Sequence, residues 1–361
     1  MKVIFIPYSE KGNPYQKLLL NHLQNIDVKV QGSGTCRIFS LLRVTFSHWK
    51  PDILHLHWHH SFLVGSNAIK TIIKSVSFIS ELLVLKLFGV KIVWTVHNIT
   101  NHEEKFRSME LFFSKILSRL CDKIIVHSPA AKKKVMKVYG ANRNFPIVVI
   151  PHGNYINSYK NVVNKSEARN QLKIDIEDLV YLYFGLIRPY KGVSDLIEVF
   201  KKLNGSQTKL LIVGKPYNDE IVKNIRKLCN KNENIKTIFK FIPDDEIQIY
   251  MNAADIVVLP YRDILTSGAV ILAMSFGKTI IAPAIGCIPD VLDSEGSFLY
   301  DPSEKGGLVK AMRQVFNADL KKMGKHNFEL AKQFRWDKIA KRTYEVYQEC
   351  LKRKEKGELV K

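Results

Sequence analysis

A two-domain α/β protein, each domain built on a doubly wound parallel sheet, is the fold class this sequence predicts, and three observations predict it. The 361 residues exceed what one hydrophobic core usually serves. Short apolar runs of strand length alternate with longer amphipathic segments, as they do when crossover helices cover both faces of a buried sheet. The alternation pauses in a polar stretch, Asn154 to Asn170, and then restarts, so that stretch is the expected interdomain connection. With 46% apolar and 25% charged residues, the chain is neither disordered, collagen-like nor a disulfide scaffold.

The elements follow in order. Lys2 to Ile6 is a first buried strand, too short an apolar run for a signal-peptide core. Tyr15 to Leu23 is helical, and Asp52 to Trp58 is the next strand. Ile69 to Phe88 is the most apolar helix, but Lys70, Lys74, Glu81 and Lys86 interrupt it, whereas a membrane span wants about 20 nearly uncharged residues. Lys91 to Val96, Ile124 to Ser128 and Val148 to Pro151 continue the strands, with a helix over Glu110 to Leu120. After the connection come strands at Leu179 to Phe184, Lys209 to Val213, Ile235 to Phe239, Ile256 to Leu259 and Thr279 to Ala282. Helices over Val193 to Lys202, Glu220 to Cys229, Asp244 to Asn252 and Ala269 to Phe276 separate them. Ile339, Tyr344, Val346, Tyr347 and Leu351 give Asp337 to Leu351 the stripe of an amphipathic closing helix, followed by a loose basic tail from Lys352 to Lys361. The expected domains are therefore 1–160 and 161–335, with 336–361 packing back on the first. Function is expected where the carboxyl ends of the two sheets open toward a cleft.

Lysine and arginine outnumber aspartate and glutamate by 21. Residues 1–160 hold 22 basic and 8 acidic side chains, so the first half carries most of the excess. Such a field attracts polyanions: nucleic acid, an anionic membrane or a phosphorylated substrate. Nucleic acid has charge as its only support, since no recognition-helix, zinc-finger or stacking motif accompanies it; no nucleic-acid partner is expected. The five cysteines, Cys36, Cys121, Cys229, Cys287 and Cys350, are odd in number and widely spaced, which points to a reducing, cytoplasmic setting.

Two loops carry the sharpest chemistry. Phe184-Gly185-Leu186-Ile187-Arg188-Pro189-Tyr190-Lys191-Gly192 joins a strand to a helix. Glycine admits close backbone approach, and Arg188 and Lys191 add two cations beside a helix N-terminus, which itself favours anions. Pro260-Tyr261-Arg262-Asp263-Ile264-Leu265-Thr266-Ser267-Gly268-Ala269 likewise leaves a strand and opens a helix, with Thr266 or Ser267 as its N-cap. Each loop taken alone is explained by a tight turn or a cap. Both in one domain, each after a strand, are read as one diphosphate site formed by Gly185, Arg188, Lys191, Thr266, Ser267 and Gly268.

These motifs, with Gly214 closing a strand, Ala254-Asp255-Ile256-Val257-Val258-Leu259-Pro260-Tyr261 and Ala273-Met274-Ser275-Phe276-Gly277-Lys278, resemble group 1 (family 4) glycosyltransferases over nearly the whole chain. In the first half, Pro51-Asp52-Ile53-Leu54-His55-Leu56-His57-Trp58 and Val93-Trp94-Thr95-Val96-His97-Asn98 are similar to members that build bacterial surface polysaccharides; Pro151-His152-Gly153 and Trp336 also match. The Thr-Ser-Gly loop is similar to a mannosyltransferase sub-branch. The resemblance implies a GT-B fold and a nucleotide-sugar donor bound in the C-terminal domain. It implies a lipid-linked or oligosaccharide acceptor in the N-terminal one, an enzyme working from the inner face of the cell membrane, and no metal or other cofactor. Arg188 and Lys191 would then neutralise the departing diphosphate. The family's usual pair of glutamates falls on Ile264 and Leu272, which leaves retention or inversion open. Gly214, Asp263 and Asp290 are further candidates for donor or ribose contacts.

An acceptor hydroxyl needs a partner in the first half. His97, at a strand end, is the candidate catalytic residue. Gly12, Asn13, His57, Asn98, His102 and Glu103 are candidates for the acceptor side. His55, His57, His59 and His60 invite a metal reading, but no carboxylate or cysteine stands beside them in sequence, so no metal site is expected. Lys132, Lys133, Lys134, Lys137, Arg37, Arg43 and the Ile69 to Lys91 stretch suit an anionic lipid surface, or else a core helix with solubilising lysines. Two alternatives keep the donor domain: a sugar-nucleotide binder without turnover, and an epimerase acting on the sugar nucleotide.

Overall fold

The computed structural model describes residues 1–9, 13–34, 40–47, 50–101, 106–140, 145–203 and 207–358, the side chains at 46, 47 and 353–358 excepted. Gly12, Arg37, His102 and Glu103 lie outside the described residues. The strands are β1 (Lys2–Ile6), β2 (Lys29–Gly32), β3 (Ile53–Leu56), β4 (Lys91–Thr95), β5 (Lys123–Val126), β6 (Ile147–Val149), β7 (Leu179–Phe184), β8 (Thr208–Val213), β9 (Ile235–Ile238), β10 (Ile256–Val258), β11 (Thr279–Pro283) and β12 (Ser297–Tyr300). The helices that matter below are α1 (Tyr15–Gln24), α2 (Ser40–Ser47), α3 (His60–Leu63), α4 (Ala68–Leu87), α5 (Arg107–Leu120) and α6 (Pro129–Tyr139).

Among the described residues these strands form two six-stranded parallel sheets, ordered β2-β1-β3-β4-β5-β6 and β12-β11-β10-β7-β8-β9. Runs such as Lys-Val-Ile-Phe-Ile in β1 and Lys-Ile-Val-Trp-Thr in β4 are buried on both faces beyond their first residue, the pattern of strands sandwiched between helix layers. Strand order reverses between β1 and β3 in one sheet and between β7 and β10 in the other. Such switch points leave a crevice at the carboxyl ends of the strands.

The chain divides into two compact units: Met1–Gly153 together with Arg335–Lys361, and Asn154–Phe334. The boundary falls seven residues before the expected 160/161, and hydrogen bonds explain why. Asn154 N–H donates to Phe334 O and its side-chain amide to Ala331 O, Tyr155 N–H donates to Ser275 Oγ, and Val162 and Val163 N–H share Gln248 Oε1. The polar stretch is thus structured in the second unit and is no free linker. α7 (Lys165–Leu172) follows, with a capping box of Asn164 and Glu167.

Unit 1 is completed from the other end of the chain. The second unit also contains α8 (Val193–Phe200), α9 (Asp219–Cys229), α10 (Ile247–Ala253), α11 (Gly268–Ser275), α12 (Ile288–Val291), α13 (Gly307–Gln314) and α14 (Leu320–Ala331). Then α15 (Trp336–Glu358) returns to unit 1 and lays Trp336, Ile339, Val346, Tyr347 and Cys350 into a core with Val3, Phe5, Tyr15 and Leu19. Fully burying each such large apolar side chain is worth about 1.5–3 kcal/mol. The helix runs on through Glu358, where a loose basic tail from Lys352 was expected. The described cysteines Cys121, Cys229, Cys287 and Cys350 are buried free thiols.

Candidate functional site

Two loops leave the second sheet at its switch point, one after β7 and one after β10. Gly185 closes β7, its N–H donating to Val213 O, and Gly214 closes β8. Pro189–Lys191 form a single 3-10 turn that ends at Gly192, which adopts φ +70°. A Cβ on Gly192 would stand 1.9 Å from Pro260 O, so only glycine lets the two loops touch. Arg262 ties them further: its N–H donates to Tyr190 O at 2.8 Å, and its guanidinium grips Asp195 at 2.7 and 2.6 Å.

The cations sit on this platform. Lys191 Nζ lies 4.0 Å from the centre of the Tyr261 ring, and the Arg188 guanidinium 4.7 Å from that of Tyr217. Burial, reinforced by the neighbouring Arg188 charge, depresses the Lys191 ammonium to about 7. In the second loop Ser267 is the N-cap of α11, accepting from Val270 N–H at 3.3 Å, and its Oγ is 3.1 Å from the Tyr261 hydroxyl. Gly268 begins that helix and Thr266 is partly buried beside it. The remaining α11 residues from Val270 to Ser275 are buried, which anchors the helix end in the core. Ile264 and Leu272 are buried apolar side chains. Asp263 and Asp290 are exposed.

In the first unit a histidine stands within three residues of the carboxyl end of each of four adjacent strands: His57 after β3, His97 after β4, His127 after β5 and His152 after β6. All four are buried. His57 Nδ1 and His97 Nε2 are 3.3 Å apart, and the His97 ring stacks on Trp58 with centroids 4.3 Å apart. His97 and His127 rings are 5.2 Å apart, and His127 and His152 rings 5.4 Å. Tyr15, at the start of α1, presents its ring to His97, His127 and His152 within 5.3 Å. His127 Nδ1 is fixed by Ile150 O and His152 Nδ1 by Gly153 O. A Cβ on Gly153 would strike the Trp336 indole at 2.3 Å, which accounts for glycine after His152. Deeper in β3, His55 bridges Tyr347 Oη and Thr95 Oγ1 at 2.6 and 2.7 Å.

Burial holds the whole row neutral. It depresses His127 to about 4 and His55 and His152 to about 3. His57 and His97 fall well below the ordinary imidazole range for the same reason, with the neighbouring histidines adding to it. His57 Nε2 and His127 Nε2 have no hydrogen-bond partner among the described residues. Such a surface presents neutral hydrogen-bond acceptors and donors.

The structure therefore brings His57 and His97 together, with Asn98 partly buried just beyond. Asn13 serves locally, its Oδ1 accepting from Tyr15 N–H. Tyr15, His127 and His152 were not anticipated as a group. One expectation needs correcting. His60 does have a carboxylate partner: Glu110 of α5, 50 residues away in sequence, is hydrogen-bonded to His60 Nδ1, and His59 lies beside them.

The fold is that of the GT-B glycosyltransferases, and comparison with known proteins agrees. Residues 32–154 match the model of "Glycosyltransferase Family 4" and residues 164–334 that of "Glycosyl transferases group 1". The chain belongs to the group 1 glycosyltransferases. A GDP-mannose:glycolipid 4-beta-D-mannosyltransferase of Xanthomonas campestris pv. campestris is 25% identical over 320 residues, 87% of this chain and 84% of that protein. A D-inositol 3-phosphate glycosyltransferase of Corynebacterium diphtheriae is 21% identical over 83% of this chain and 71% of that protein. Among solved structures, the sucrose-phosphate synthase of Thermosynechococcus elongatus superposes with a TM-score of 0.77 at 17% identity, covering 97% and 98% of the two chains. Anabaena HepE in complex with UDP does so at 0.75 and 19%, covering 97% and 100%.

Proposed function

We propose that this glycosyltransferase moves a hexose, mannose being favoured, from a nucleoside-diphosphate sugar to a lipid-linked oligosaccharide during surface-polysaccharide synthesis. The observation that carries the reading is the pair of clamped loops in the second unit. Arg188 and Lys191 come from one loop and the N-terminal amides of α11 from the other, and the Tyr261 ring, under Lys191 Nζ and beside Ser267 Oγ, joins the two. Charge that develops on a departing diphosphate is stabilised most by donors already fixed in place, so these groups do the work with no metal ion. The mannose and glycolipid assignments draw on the Xanthomonas relative, and the nucleotide site also draws on the UDP bound by HepE.

In the first unit the acceptor hydroxyl meets the His57–His97 pair. A neutral imidazole held far below its usual pKa is a poor reservoir for a full proton but a good hydrogen-bond acceptor. His97 thus orients the hydroxyl and His57 positions His97. The reaction takes place at the inner face of the membrane. No helix among the described residues is long and apolar enough to cross a bilayer, and α4 supplies a surface for lying on one. Its outer face exposes Ile69, Ile72, Ile73, Val76, Leu83 and Leu87. Its inner face buries Phe78, Leu82 and Leu85 together with Thr71, Ser75 and Glu81, which are held in hydrogen bonds, so apolar side chains lie on both faces, unlike an ordinary surface helix with one apolar stripe.

A second reading rests on Ile264 and Leu272, which cannot hydrogen-bond a sugar: a sugar-nucleotide binder without transfer. A thermal-shift panel of UDP, GDP, ADP and their sugar conjugates, followed by a transfer assay, separates the two. A ligand at 100 times its dissociation constant stabilises the native state by about 2.7 kcal/mol. We expect one nucleoside diphosphate to stabilise the protein and Arg188→Ala to abolish both that shift and transfer. His97→Ala should keep the shift and lose transfer. Absence of any shift overturns the donor site; a shift without turnover favours the binder.

A further inference from the structure

We propose that His59, His60 and Glu110 form a binding site for one divalent transition-metal ion of the zinc class, separate from the strand-end histidine row and from the diphosphate loops. The three side chains come from two places, the turn that opens α3 and the first turn of α5. One ligating atom from each lies within 4.8 Å of the others. Bonds of about 2.0–2.1 Å to nitrogen and oxygen set ligand atoms roughly 3.3–3.5 Å apart in a tetrahedron, so small side-chain rotations close the set around an ion.

Electrostatics point the same way. The Glu110 carboxylate is fully buried, and its Oε2 has no hydrogen-bond partner among the described residues. A buried carboxylate with one oxygen unsatisfied is costly, and a cation compensates it. Its other oxygen accepts from Asn101 N–H at 2.9 Å and is hydrogen-bonded to His60 Nδ1. An ion bound through Nδ1 takes the place of that hydrogen bond, with the single proton of the neutral imidazole on Nε2. The surroundings already hold the ligands as outer-sphere partners do: His59 Nε2 is 3.0 Å from Ser114 Oγ, and the His59 ring packs edge-on to Trp94 at 4.6 Å. The His60 side chain is 13% exposed, which gives an ion a way in. Two imidazoles and one carboxylate favour zinc, nickel or cobalt over calcium or magnesium. With three protein ligands, a fourth position is left for water. The ion would pin α3 to α5 and, through Asn101, the segment that follows His97.

Chelator-treated full-length protein is titrated with Zn²⁺ by equilibrium dialysis, and with Co²⁺ while its visible d–d absorption is recorded. We expect one equivalent to bind with a tetrahedral-type band. Glu110→Gln and His60→Asn should each weaken binding by at least the about 10–100-fold that loss of an outer-sphere partner costs. Should Glu110→Gln fail to fold, His60→Asn, at the partly exposed position, carries the test with its fold checked by circular dichroism. No uptake by the wild type, or uptake unchanged in these variants, overturns the site. So does a band lost in His97→Ala but kept in His60→Asn, which moves the ion to the strand-end row.

Discussion

Lys191 shows how one residue's surroundings set the behaviour of the diphosphate platform. An ammonium depressed to about 7 is largely neutral at pH 8, and an arriving diphosphate favours its charged form. Nucleoside diphosphate binding should therefore take up close to one proton at pH 8, read as a difference in calorimetric heat between buffers of unlike ionisation enthalpy. Above pH 7 the affinity should fall by up to about tenfold per pH unit, and Lys191→Gln should remove both effects. Equal heats in the two buffers would sink this account. The platform was legible because its parts are neighbours in sequence: Gly185 to Gly192 is one loop, and Ser267 caps the helix that follows it. The grouping of Tyr15, His127 and His152 escaped notice because these residues meet only after folding. A signal was present nonetheless, since histidine recurs just after each of four successive strand-like runs. The His60–Glu110 pair left no such trace, its members being separated by a strand and a helix.

At the scale of elements, the row of strand ends in unit 1 concentrates five buried neutral imidazoles: His55, His57, His97, His127 and His152. Each is depressed in the folded state below its unfolded value of about 6.5. Between those two values the unfolded chain binds more protons than the native one, so stability is retained above about pH 6.5 and falls as pH drops toward the folded values. Each histidine contributes about 1.4 kcal/mol per pH unit to that fall. Trp58, Trp94 and Trp336 belong to unit 1, and the fourth tryptophan, Trp49, falls in the same stretch of sequence, so urea unfolding followed by tryptophan fluorescence reports on that unit. We expect a clear loss of stability from pH 7.5 to 5.5 and a shallower loss in His127→Gln; an unchanged midpoint would show the row to be hydrated. Long, strongly patterned elements such as α4 and β7 were readable from sequence. The edge strands β2 and β12, Lys-Val-Gln-Gly and Ser-Phe-Leu-Tyr, were not, because four residues at a sheet edge carry little pattern and tertiary pairing decides them.

For the whole molecule, charge and exposed apolar surface coincide in the first half of the chain. Residues 1–160 carry net +14, and the apolar face of α4 lies in the same unit. Each basic residue near an anionic lipid surface is worth about 1 kcal/mol. The protein should co-sediment with phosphatidylglycerol vesicles and poorly with phosphatidylcholine ones. Replacing Ile72, Ile73 and Val76 together by glutamate should release it without loss of thermal stability, because all three are already exposed. Retention of the triple variant would exclude this face, and a switch from dimer to monomer would assign it to a second copy. The return of α15 to unit 1 has a consequence of another kind. Residues 154–334 are contiguous and can close as soon as they have left the ribosome, whereas the half begun first waits for Trp336, Val346 and Tyr347. Order of assembly therefore runs against order of synthesis, and the flank of β1 and α1 that α15 covers stays bare until that helix has been made.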